Sequence, residues 1–259
     1  MKRTQAAVDA RRDSILKQIQ STGIANVKDL AEQFRVSTLT IRRDMDVLVG
    51  AGKLERFHGG AISTTAADQD SSAVSIQGCK HAIAKKAAEL VEDNDTIFIN
   101  TSSTALLLLK YMTAKNVTII TNNGKALFAA RPADSILIFT GGEIRVPKDA
   151  MVGEFATNNL TRVTASKCFM GCAGLNIDIG VMSTVLPEAT INEIMYHHTH
   201  GAKVLLADHR RFERIHPFRS CGMEDITHLI SDTSVPQRII EPIRQLGVNV
   251  IQVKPLKKF

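Results

Sequence analysis

The chain has 259 residues, 44% of them hydrophobic and 22% charged, with a formal net charge of +6. This length is sufficient for one large domain or two smaller ones with a substantial buried core. No apolar run approaches the ~20 residues of a membrane-spanning helix, and the N-terminus has no apolar stretch of signal-peptide length, so we expect a cytoplasmic protein without a membrane partner.

The first two predicted elements are short amphipathic helices. Residues 8–19 form the first and residues 26–34 the second, in which Asn26 is the expected N-cap and Asp29 occupies the capping-box position. The inward-facing apolar residues of these helices are Ile15, Leu16, Ile19, Val27, Leu30, Ala31 and Phe34. Together with the next helix they predict a small three-helix core.

The third predicted helix begins at Ser37, whose hydroxyl can accept hydrogen bonds from the first-turn N–H groups. Its apolar face consists of Ile41, Met45 and Leu48, spaced by four and three residues. Its other faces carry Thr38, Thr40, Arg42 and Arg43 near the N-terminus. Two short strands follow, at residues 53–57 and 61–62. A polar, basic helix followed by a basic hairpin is the arrangement of a winged helix-turn-helix, whose helix enters the DNA major groove.

The distribution of charge agrees with nucleic-acid binding. Residues 1–60 contain 11 Lys and Arg against 7 Asp and Glu, whereas residues 61–259 contain 21 against 19. Most of the excess positive charge therefore lies in residues 1–60, the region proposed to contact DNA phosphates, as expected where counterion release drives binding. The alternative is an ordinary amphipathic helix with a solvated charged face, but the two helices before it complete a helix-turn-helix.

Two motifs in this region resemble the N-terminal signature of the DeoR family of bacterial sugar-catabolism regulators. They are Ser37-Thr-x-Thr-Ile-Arg-Arg-Asp44 and Gly52-x-Leu-x-Arg-x-His-Gly-Gly-Ala61. The resemblance implies a recognition helix that opens with residues 37–43 and a wing that carries Arg56 and His58. The residues expected to contact double-stranded operator DNA are Ser37, Thr38, Thr40, Arg42, Arg43, Arg56 and His58.

The rest of the chain predicts a linker and an α/β domain. Ser, Thr, Ala, Asp and Gln dominate the stretch after the wing, which has almost no large apolar residues. We expect a winged helix-turn-helix domain over 1–62, a linker over 63–79 and an effector-sensing domain over 80–259. Helices are predicted at 80–91, 105–112, 124–130, 188–198 and 236–246, and strands at 96–99, 117–120, 136–139, 167–170, 204–207, 228–231 and 248–253. This alternation favours a largely parallel sheet covered on both faces.

Polar loops follow five of the predicted strands. They are residues 100–104, 121–124, 140–142, 171–174 and 208–212, rich in Ser, Thr, Asn and Gly. Ligands of parallel sheets bind beyond the carboxyl ends of the strands, and a helix start favours phosphate. The sequence therefore predicts a polar, phosphate-binding pocket at this edge. The alternative is that these residues only cap helices and turn the chain.

The second half of the chain also resembles the DeoR family, whose sensor domains resemble the fold of ribose-5-phosphate isomerase and glucosamine-6-phosphate deaminase and bind phosphorylated sugars. The effector-binding residues that this resemblance implies are Lys80, Ser102, Ser103, Thr104, Asn122, Asn123, Gly141, Gly142, Gly171, Gly174, Asp208 and Arg211. The chain departs from the family pattern at Asn100, where an Asp is usual, at Ser102, where a Gly is usual, at Asn123 in place of Ser, and at Arg211 in place of Lys.

The remaining residues leave other classes of function open. Cys168 and Cys172, together with His197, His198 and His200, are candidate metal ligands, but the two cysteines lie in an apolar, strand-like run. We expect reduced thiols, with no metal and no cofactor. A sugar-phosphate isomerase or deaminase needs a general base, for which Glu154, Glu188 and Asp208 are candidates, while Asn100 is neutral. A plain interaction module is the third alternative.

The expected function is transcriptional repression of a carbohydrate-utilisation operon, with DNA binding controlled by a phosphorylated sugar. Recognition helices that read symmetric half-sites come in pairs, so a homodimer or homotetramer is expected.

Overall fold

The computed structural model describes residues 5–22, 24–50, 53–57, 60–63, 76–257 and 259. The chain divides into two compact units, Met1–Ala73 and Val74–Phe259. Each unit has its own hydrophobic core, and each is described by itself below.

The N-terminal unit packs three helices beside a small antiparallel sheet. Its elements are α1 (Gln5–Thr22), β1 (Ile24–Asn26), α2 (Val27–Gln33), α3 (Thr38–Gly50), β2 (Leu54–Phe57) and β3 (Gly60–Ser63). The sheet order is β1-β3-β2, so the predicted wing hairpin gains a third strand, β1, that the sequence did not predict. The predicted apolar faces form the core, in which Ile15, Ile19, Leu30, Ile41 and Met45 are completely buried.

The two predicted helix caps have different outcomes. The backbone N–H of Thr40 donates to Ser37 Oγ at 3.2 Å, which confirms Ser37 as the cap of α3. Asn26 occupies the predicted N-cap position of α2, but its side chain makes no capping bond and instead donates from Nδ2 to Asp29 Oδ2 at 3.4 Å. Arg35, with φ of 49°, turns the chain from α2 into α3.

The C-terminal unit contains the remaining elements. The helices are α4 (Ile76–Ala88), α5 (Ser103–Tyr111), α6 (Glu154–Leu160), α7 (Leu186–His197) and α8 (Gln237–Gln245), and short 3-10 helices span Gly124–Phe128, His209–Arg211 and Met223–Asp225. The strands are β4 (Thr96–Ile99), β5 (Thr118–Thr121), β6 (Ile136–Phe139), β7 (Glu143–Arg145), β8 (Ala150–Val152), β9 (Lys167–Gly171), β10 (Gly174–Asn176), β11 (Gly180–Ser183), β12 (Lys203–Leu206), β13 (Phe218–Cys221), β14 (His228–Asp232) and β15 (Asn249–Val253).

A seven-stranded parallel sheet organises this unit, in the order β15-β14-β12-β9-β4-β5-β6. The prediction of a parallel α/β sheet is therefore confirmed. Successive residues of β4 face opposite layers: Ile97 and Ile99 pack with α4 and α5, whereas Phe98 packs with α6, α7 and α8. The chain winds outward from β4 to β6 and then returns to β9, so the order of strands reverses between β4 and β9.

Several smaller elements differ from the sequence predictions. The β7–β8 hairpin, α6 and the small sheet β10-β11-β13 were not predicted. The helix predicted over 124–130 is a short 3-10 helix. Helix α4 begins at Ile76, inside the predicted linker, because its first residues already pack against the domain. Residues 64–75 of that linker lie outside the described residues. Among the helices that the structure describes, none combines the length and apolar character needed to cross a bilayer.

Candidate functional site

The N-terminal half of α3 presents a polar and basic surface. Arg42 and Arg43 are exposed, as are Ser37 and Thr38, while Thr40 is half-buried. The hydroxyls of Ser37 and Thr40 lie 2.9 Å apart and hydrogen-bond to each other. These five predicted residues therefore belong to one helix start, the position from which recognition helices contact bases and phosphates.

Asp44 fixes this helix to the rest of its unit. Its carboxylate is 2% exposed and accepts hydrogen bonds from Arg11 Nε at 2.7 Å and from Arg12 Nε at 3.0 Å. Because both arginines lie on α1, one buried carboxylate joins α3 to α1. The motif Arg42-Arg43-Asp44 thus divides into two exposed cations and one internal anchor.

Leu39 is a further exposed residue of this surface that the sequence reasoning missed. It is 55% exposed, in the first turn of α3 beside Thr38 and Thr40. An apolar side chain at such a position can contact the methyl group of thymine. The signal was present, since Leu39 interrupts the polar residues of the motif without belonging to the apolar face.

The wing residues are only partly described. Arg56 lies in β2, where its backbone pairs with Ala61 of β3. Its side chain and all of His58 lie outside the described residues, so their DNA contacts stay predictions.

At the carboxyl edge of the large sheet, Asn100 joins three segments. Its Nδ2 donates to Gly171 O at 2.9 Å and to Asn192 Oδ1 at 3.1 Å, and its Oδ1 accepts from the N–H groups of Gly171 and Ser102 at 3.1 and 3.2 Å. Both donors and both acceptor positions of the amide are therefore used. The residue that departs from the family pattern holds the ends of β4 and β9 and helix α7 together.

In the 100–104 loop, Ser102 is used to cap a helix, and Ser103 remains exposed. Ser102 Oγ accepts from the N–H groups of Thr104 and Ala105, so Ser102 is the N-cap of α5. A side chain at Gly171 would overlap Ser102, which explains glycine at that position. Ser103 Oγ, in contrast, lies 3.4 Å from Lys80 Nζ, so the cation of Lys80 lies near the start of α5. The structure thus brings Lys80 to Ser103, as predicted, and assigns Ser102 to capping.

The next two loops are also largely committed to internal contacts. Asn123 Oδ1 accepts from Lys125 N and starts the 3-10 helix. Asn122 is 1% exposed; its Nδ2 donates to Met151 O, and its Oδ1 has no hydrogen-bond partner among the described residues. Gly141 and Gly142 both have positive φ, and a side chain at Gly142 would overlap the Val152 carbonyl. Asn122 therefore contributes a buried, unsatisfied acceptor.

Glu188 is a carboxylate that contacts the 100–104 loop. It lies in the first turn of α7 and accepts from Lys148 Nζ at 2.7 Å and from Thr101 Oγ1 at 3.4 Å. Lys148 follows β7, in a hairpin that was not predicted, and the sequence held no signal for its position. These contacts bring a cation, an anion and a hydroxyl together beside the 100–104 loop.

Asp208 and its neighbours form a charged cluster after β12. Burial alone would raise the pKa of Asp208, but the hydrogen bond from Arg210 and the positive charges of Arg210, Arg211 and Lys80 lower it. Asp208 is thus an ionised carboxylate that holds the two arginines. Arg211 Nε lies 3.8 Å from Asp208 Oδ2. Gly174 has a packing role, because a side chain there would overlap the Arg214 carbonyl.

Of the candidate metal ligands of the sequence, the two cysteines lie in the hydrophobic core, whereas His197 and His200 are exposed and His198 is half-buried. Cys168 is completely buried in β9, and Cys172 packs against the same cluster. Burial raises the pKa of each thiol to about 12. His198 contacts the Val163 carbonyl through Nδ1 at 3.1 Å. These cysteines are accounted for by packing.

Comparisons with known proteins assign a family to both units. A family model of the DeoR-like helix-turn-helix domain matches residues 11–67, and a model of the DeoR C-terminal sensor domain matches residues 77–233. The lactose phosphotransferase system repressor of Staphylococcus aureus (strain NCTC 8325 / PS 47) is 30% identical over 238 residues, which cover 88% of this chain and 94% of the relative. The putative aga operon transcriptional repressor of Escherichia coli O157:H7 is 28% identical over 254 residues, with coverages of 94% and 93%.

The solved structures that match are more distant. Ribose 5-phosphate isomerase A of Methanocaldococcus jannaschii matches with 19% identity and a TM-score of 0.36, covering 51% of this chain and 53% of the isomerase. This likeness is too weak to support a conclusion about activity.

Proposed function

The chain belongs to the DeoR family of transcriptional regulators, and we propose that it represses a carbohydrate-utilisation operon under the control of a phosphorylated sugar. The observation that carries the DNA-binding part is the start of α3, where Ser37, Thr38, Arg42 and Arg43 face solvent. Asp44 holds the same helix rigidly from inside. A basic helix surface on a fixed support is what phosphate and base-edge contacts require.

DNA binding is tested with duplexes selected from a random library by the full-length chain. Replacing Arg42 and Arg43 together with Ala should weaken binding and lower the salt slope by about 0.9 for each phosphate that is no longer neutralised. The single variants Arg42→Ala and Arg43→Ala are compared with Lys17→Ala, which removes one exposed positive charge from α1. A folded double variant with unchanged affinity and salt slope would show that α3 is not the recognition helix.

For the effector, we propose that the phosphate lies at the start of α5, near Ser103 and Lys80. The nine-residue helix places its positive end there, and Lys80 adds a cation. Arg211 adds positive charge on the neighbouring loop, which is held by Asp208. The Oδ1 of Asn122, which is buried and has no hydrogen-bond partner among the described residues, is a further acceptor at this edge. The prediction that Ser102 and Asn123 bind the effector directly is less well supported, since both cap helices.

Thermal unfolding of the full chain with sugar phosphates and with their unphosphorylated parents tests the effector proposal. A phosphorylated sugar, and not its parent, should raise the melting temperature. The double variant Ser103→Ala with Thr104→Ala should respond less and should keep its effector-free DNA binding. Ser135→Ala, whose hydroxyl bonds only locally to Pro132 O, is the control. Equal stabilisation by the parent sugar, or an unchanged response in the double variant, would remove this loop as the phosphate site.

We also propose that two chains pair through the β6 edge of the sensor unit. Within the described residues β6 ends the large sheet, and its Ile136 and Ile138 are 58% and 44% exposed. The other large, exposed apolar residues of the same chain segment are Leu127, Phe128, Ile144, Val146 and Phe155. Contacts of Gly124 with Asp149 and of Lys125 with Pro147 bring the parts of this segment together. An apolar patch beside an open strand edge suits a second copy, whose own edge is self-complementary under two-fold symmetry.

The assembly proposal is tested by measuring the solution mass of the full chain. Phe128→Asp should shift a dimer or tetramer toward smaller species and weaken operator binding, because paired recognition helices share one operator. Ile215→Asp places the same charge on an exposed apolar residue outside this segment and should leave the mass unchanged. A wild-type monomer, or a dimer unaffected by Phe128→Asp, contradicts the proposed interface.

We propose further that the sensor unit binds its sugar phosphate without converting it, and that the protein acts in the cytoplasm, where operator DNA is found. Asn100, Glu188 and Asp208 are all engaged in the hydrogen bonds described above, which leaves them positioning roles. Incubation with pentose and hexosamine phosphates, followed by product analysis, separates a regulator from an isomerase or deaminase. Conversion at a rate dependent on Glu188 would favour the enzyme.

A further inference from the structure

Three side chains of metal-ligand type meet at a point that none of the preceding proposals uses. Cys79 Sγ, a ring nitrogen of His209 and a carboxylate oxygen of Asp232 all lie within 4.8 Å of one another. In the part of the chain that the structure describes, no other group of three such residues approaches this closely. We propose that Cys79, His209 and Asp232 form a binding site for a single zinc ion.

The fold brings the three residues together from separate elements. Asp232 ends β14, and His209 follows the neighbouring parallel strand β12, so both lie at the same edge of the sheet. Cys79 lies in α4, which packs against β14. Cys79 and Asp232 are completely buried, whereas the His209 side chain is 29% exposed. Two of the ligands are therefore shielded from solvent, and a metal ion can approach the site along the exposed imidazole.

The ligand set and its geometry suit zinc. Thiolate, imidazole and carboxylate are the three ligand types of protein zinc sites, and three protein ligands leave a fourth position open. His209 Nδ1 lies 3.0 and 3.1 Å from the two oxygens of Asp232. Ligands around tetrahedral zinc are roughly 3.3 to 3.7 Å apart, given bonds of about 2.0 to 2.3 Å. The imidazole and the carboxylate therefore need to separate by only a few tenths of an ångström.

Surrounding hydrogen bonds hold the carboxylate in place for this role. The backbone N–H of His209 donates to Asp232 Oδ2 at 2.8 Å, and that of Ser234 donates to Oδ1 at 3.0 Å. Such contacts orient ligands and are part of a working metal site. Asp208 adds a second negative charge near the thiol of Cys79. Arg210, which is paired with Asp208, offsets part of this second charge, so Asp232 supplies the main negative charge for a divalent cation.

Binding exchanges protons for the metal. Without it, burial raises the pKa of Cys79 to about 12, so the thiol keeps its proton beside Asp232. Zinc forms one bond to the sulfur, whose proton leaves to solvent, and one bond to Nδ1 of His209, which gives up any proton it carries and keeps the one on Nε2. Asp232 supplies the third bond as the carboxylate. The oxidation states of all groups are unchanged.

The test uses the reduced full-length chain with zinc alone, measured by calorimetry, and with cobalt(II) as a spectroscopic probe. We expect one ion per chain and a sulfur-to-cobalt charge-transfer band. Cys79→Ser should abolish that band and weaken zinc binding by at least about tenfold, since even partners outside the ligand set are worth 10–100-fold. Cys172→Ser, which changes a half-buried cysteine outside the cluster, should bind the ion as the wild type does.

His209→Asn provides a second variant with little risk to folding, because that side chain is partly exposed. It should weaken zinc binding by a similar factor and retain the sulfur-to-cobalt band at high cobalt concentration. Failure of the wild-type chain to bind zinc, or a band that survives Cys79→Ser or disappears in Cys172→Ser, would overturn the proposal. Neither sugar nor DNA enters these measurements, so their outcome is independent of the proposed repressor function.

Discussion

The start of α3 and the 100–104 loop are the two most distinctive stretches of the sequence, yet the fold uses them in opposite ways. In α3 the candidate residues Arg42 and Arg43 face solvent, and Asp44 is the charged residue of the motif that is turned inward. In the loop, Asn100 and Ser102 are tied into the interior, and Ser103 is left on the surface beside Lys80.

The difference teaches how to select functional residues from a polar motif. A DNA-binding surface needs side chains that reach outward, so most polar residues of its motif are not used for contacts inside the fold. A ligand pocket is built from loops that must first be closed, so many of its polar residues hold backbone groups. Substitutions of inward-facing polar residues should therefore lower stability, and substitutions of outward-facing residues should alter binding.

The largest effect is expected at the inward-facing member of the first motif. Asp44→Ala removes the carboxylate between Arg11 and Arg12 and leaves two arginines without their buried partner, at a cost of about 4 kcal/mol. Hydrogen–deuterium exchange of the full chain should show faster exchange in α1 and α3. Asp13→Ala, which removes an exposed aspartate from α1, is the control. Unchanged exchange in Asp44→Ala would mean that α3 is held by its apolar face alone.

A slightly smaller loss is expected from Asn100→Asp, which restores the residue usual in the family. The new carboxylate cannot donate to Gly171 O or Asn192 Oδ1, and this should lower the stability of the sensor unit by about 3 kcal/mol. Acid should partly rescue the variant, because a protonated carboxyl regains one donor. The melting temperature measured against pH checks both effects.

Asn176→Asp is the matched control for this substitution. The hydrogen bonds described for Asn176 use only its Oδ1, which accepts from the N–H groups of Asp178 and Ile179. An aspartate can accept both, so the stability should change little. Equal losses in the two variants would show that donation by the Asn100 amide is unimportant.

A third and smaller effect concerns the amino end of the same sheet. Burial alone would raise the pKa of Asp95, but hydrogen bonds from Lys167, Ser166 and the Glu92 N–H lower it below its ordinary value of 3.8. The unfolded chain therefore binds more protons near that pH, and the stabilisation is present above it and lost as the pH falls through the lower, folded-state pKa. Asp95→Asn should flatten this acid dependence and lower stability at neutral pH.

Urea unfolding at several pH values measures this effect. Glu89→Gln breaks the exposed ion pair with Lys86 and should leave the profile close to that of the wild type, since surface pairs contribute little. A profile that is equally steep in Asp95→Asn would assign the acid sensitivity to another carboxylate.

The smallest effect is expected at Leu39, an outward-facing residue of α3. Leu39→Ala should leave stability unchanged and weaken binding to selected operator DNA by less than about 1 kcal/mol, with no change for random DNA. Val47→Ala removes an apolar side chain of similar exposure two turns along α3 and should not alter specificity. Equal weakening for selected and random duplexes would exclude a base contact by Leu39.

Much of the fold was predictable because it rests on strong local patterns. The strands β4, β5 and β6 are short apolar runs in the sequence, and their alternation with helices implies a parallel sheet. The β7 and β8 strands have only three residues each, Glu143–Arg145 and Ala150–Val152, and too short a pattern to identify. Their pairing depends on contacts with distant parts of the chain, which periodicity does not contain.

The candidate site was predictable in location and less so in residue roles. The sequence places hydroxyls at a helix start, but a serine that caps a helix and one that binds phosphate have the same local signature; only the contacts distinguish Ser102 from Ser103. Lys148 reaches Glu188 across 40 residues of sequence. The zinc ligands proposed above come from three separate elements, and no spacing rule connects them.

The position of Asn100 at the reversal of strand order also has a consequence for how the protein is made. Its partners Gly171 and Asn192 follow it by 71 and 92 residues, a delay of roughly 4 to 18 s at the about 5–20 residues per second of synthesis. Until then the nascent chain carries β4, β5 and β6 without the strand that belongs beside β4. The DNA-binding unit has left the ribosome by that time. Each new molecule therefore passes through an interval in which its N-terminal unit has been synthesised but the large sheet of its C-terminal unit cannot yet be completed.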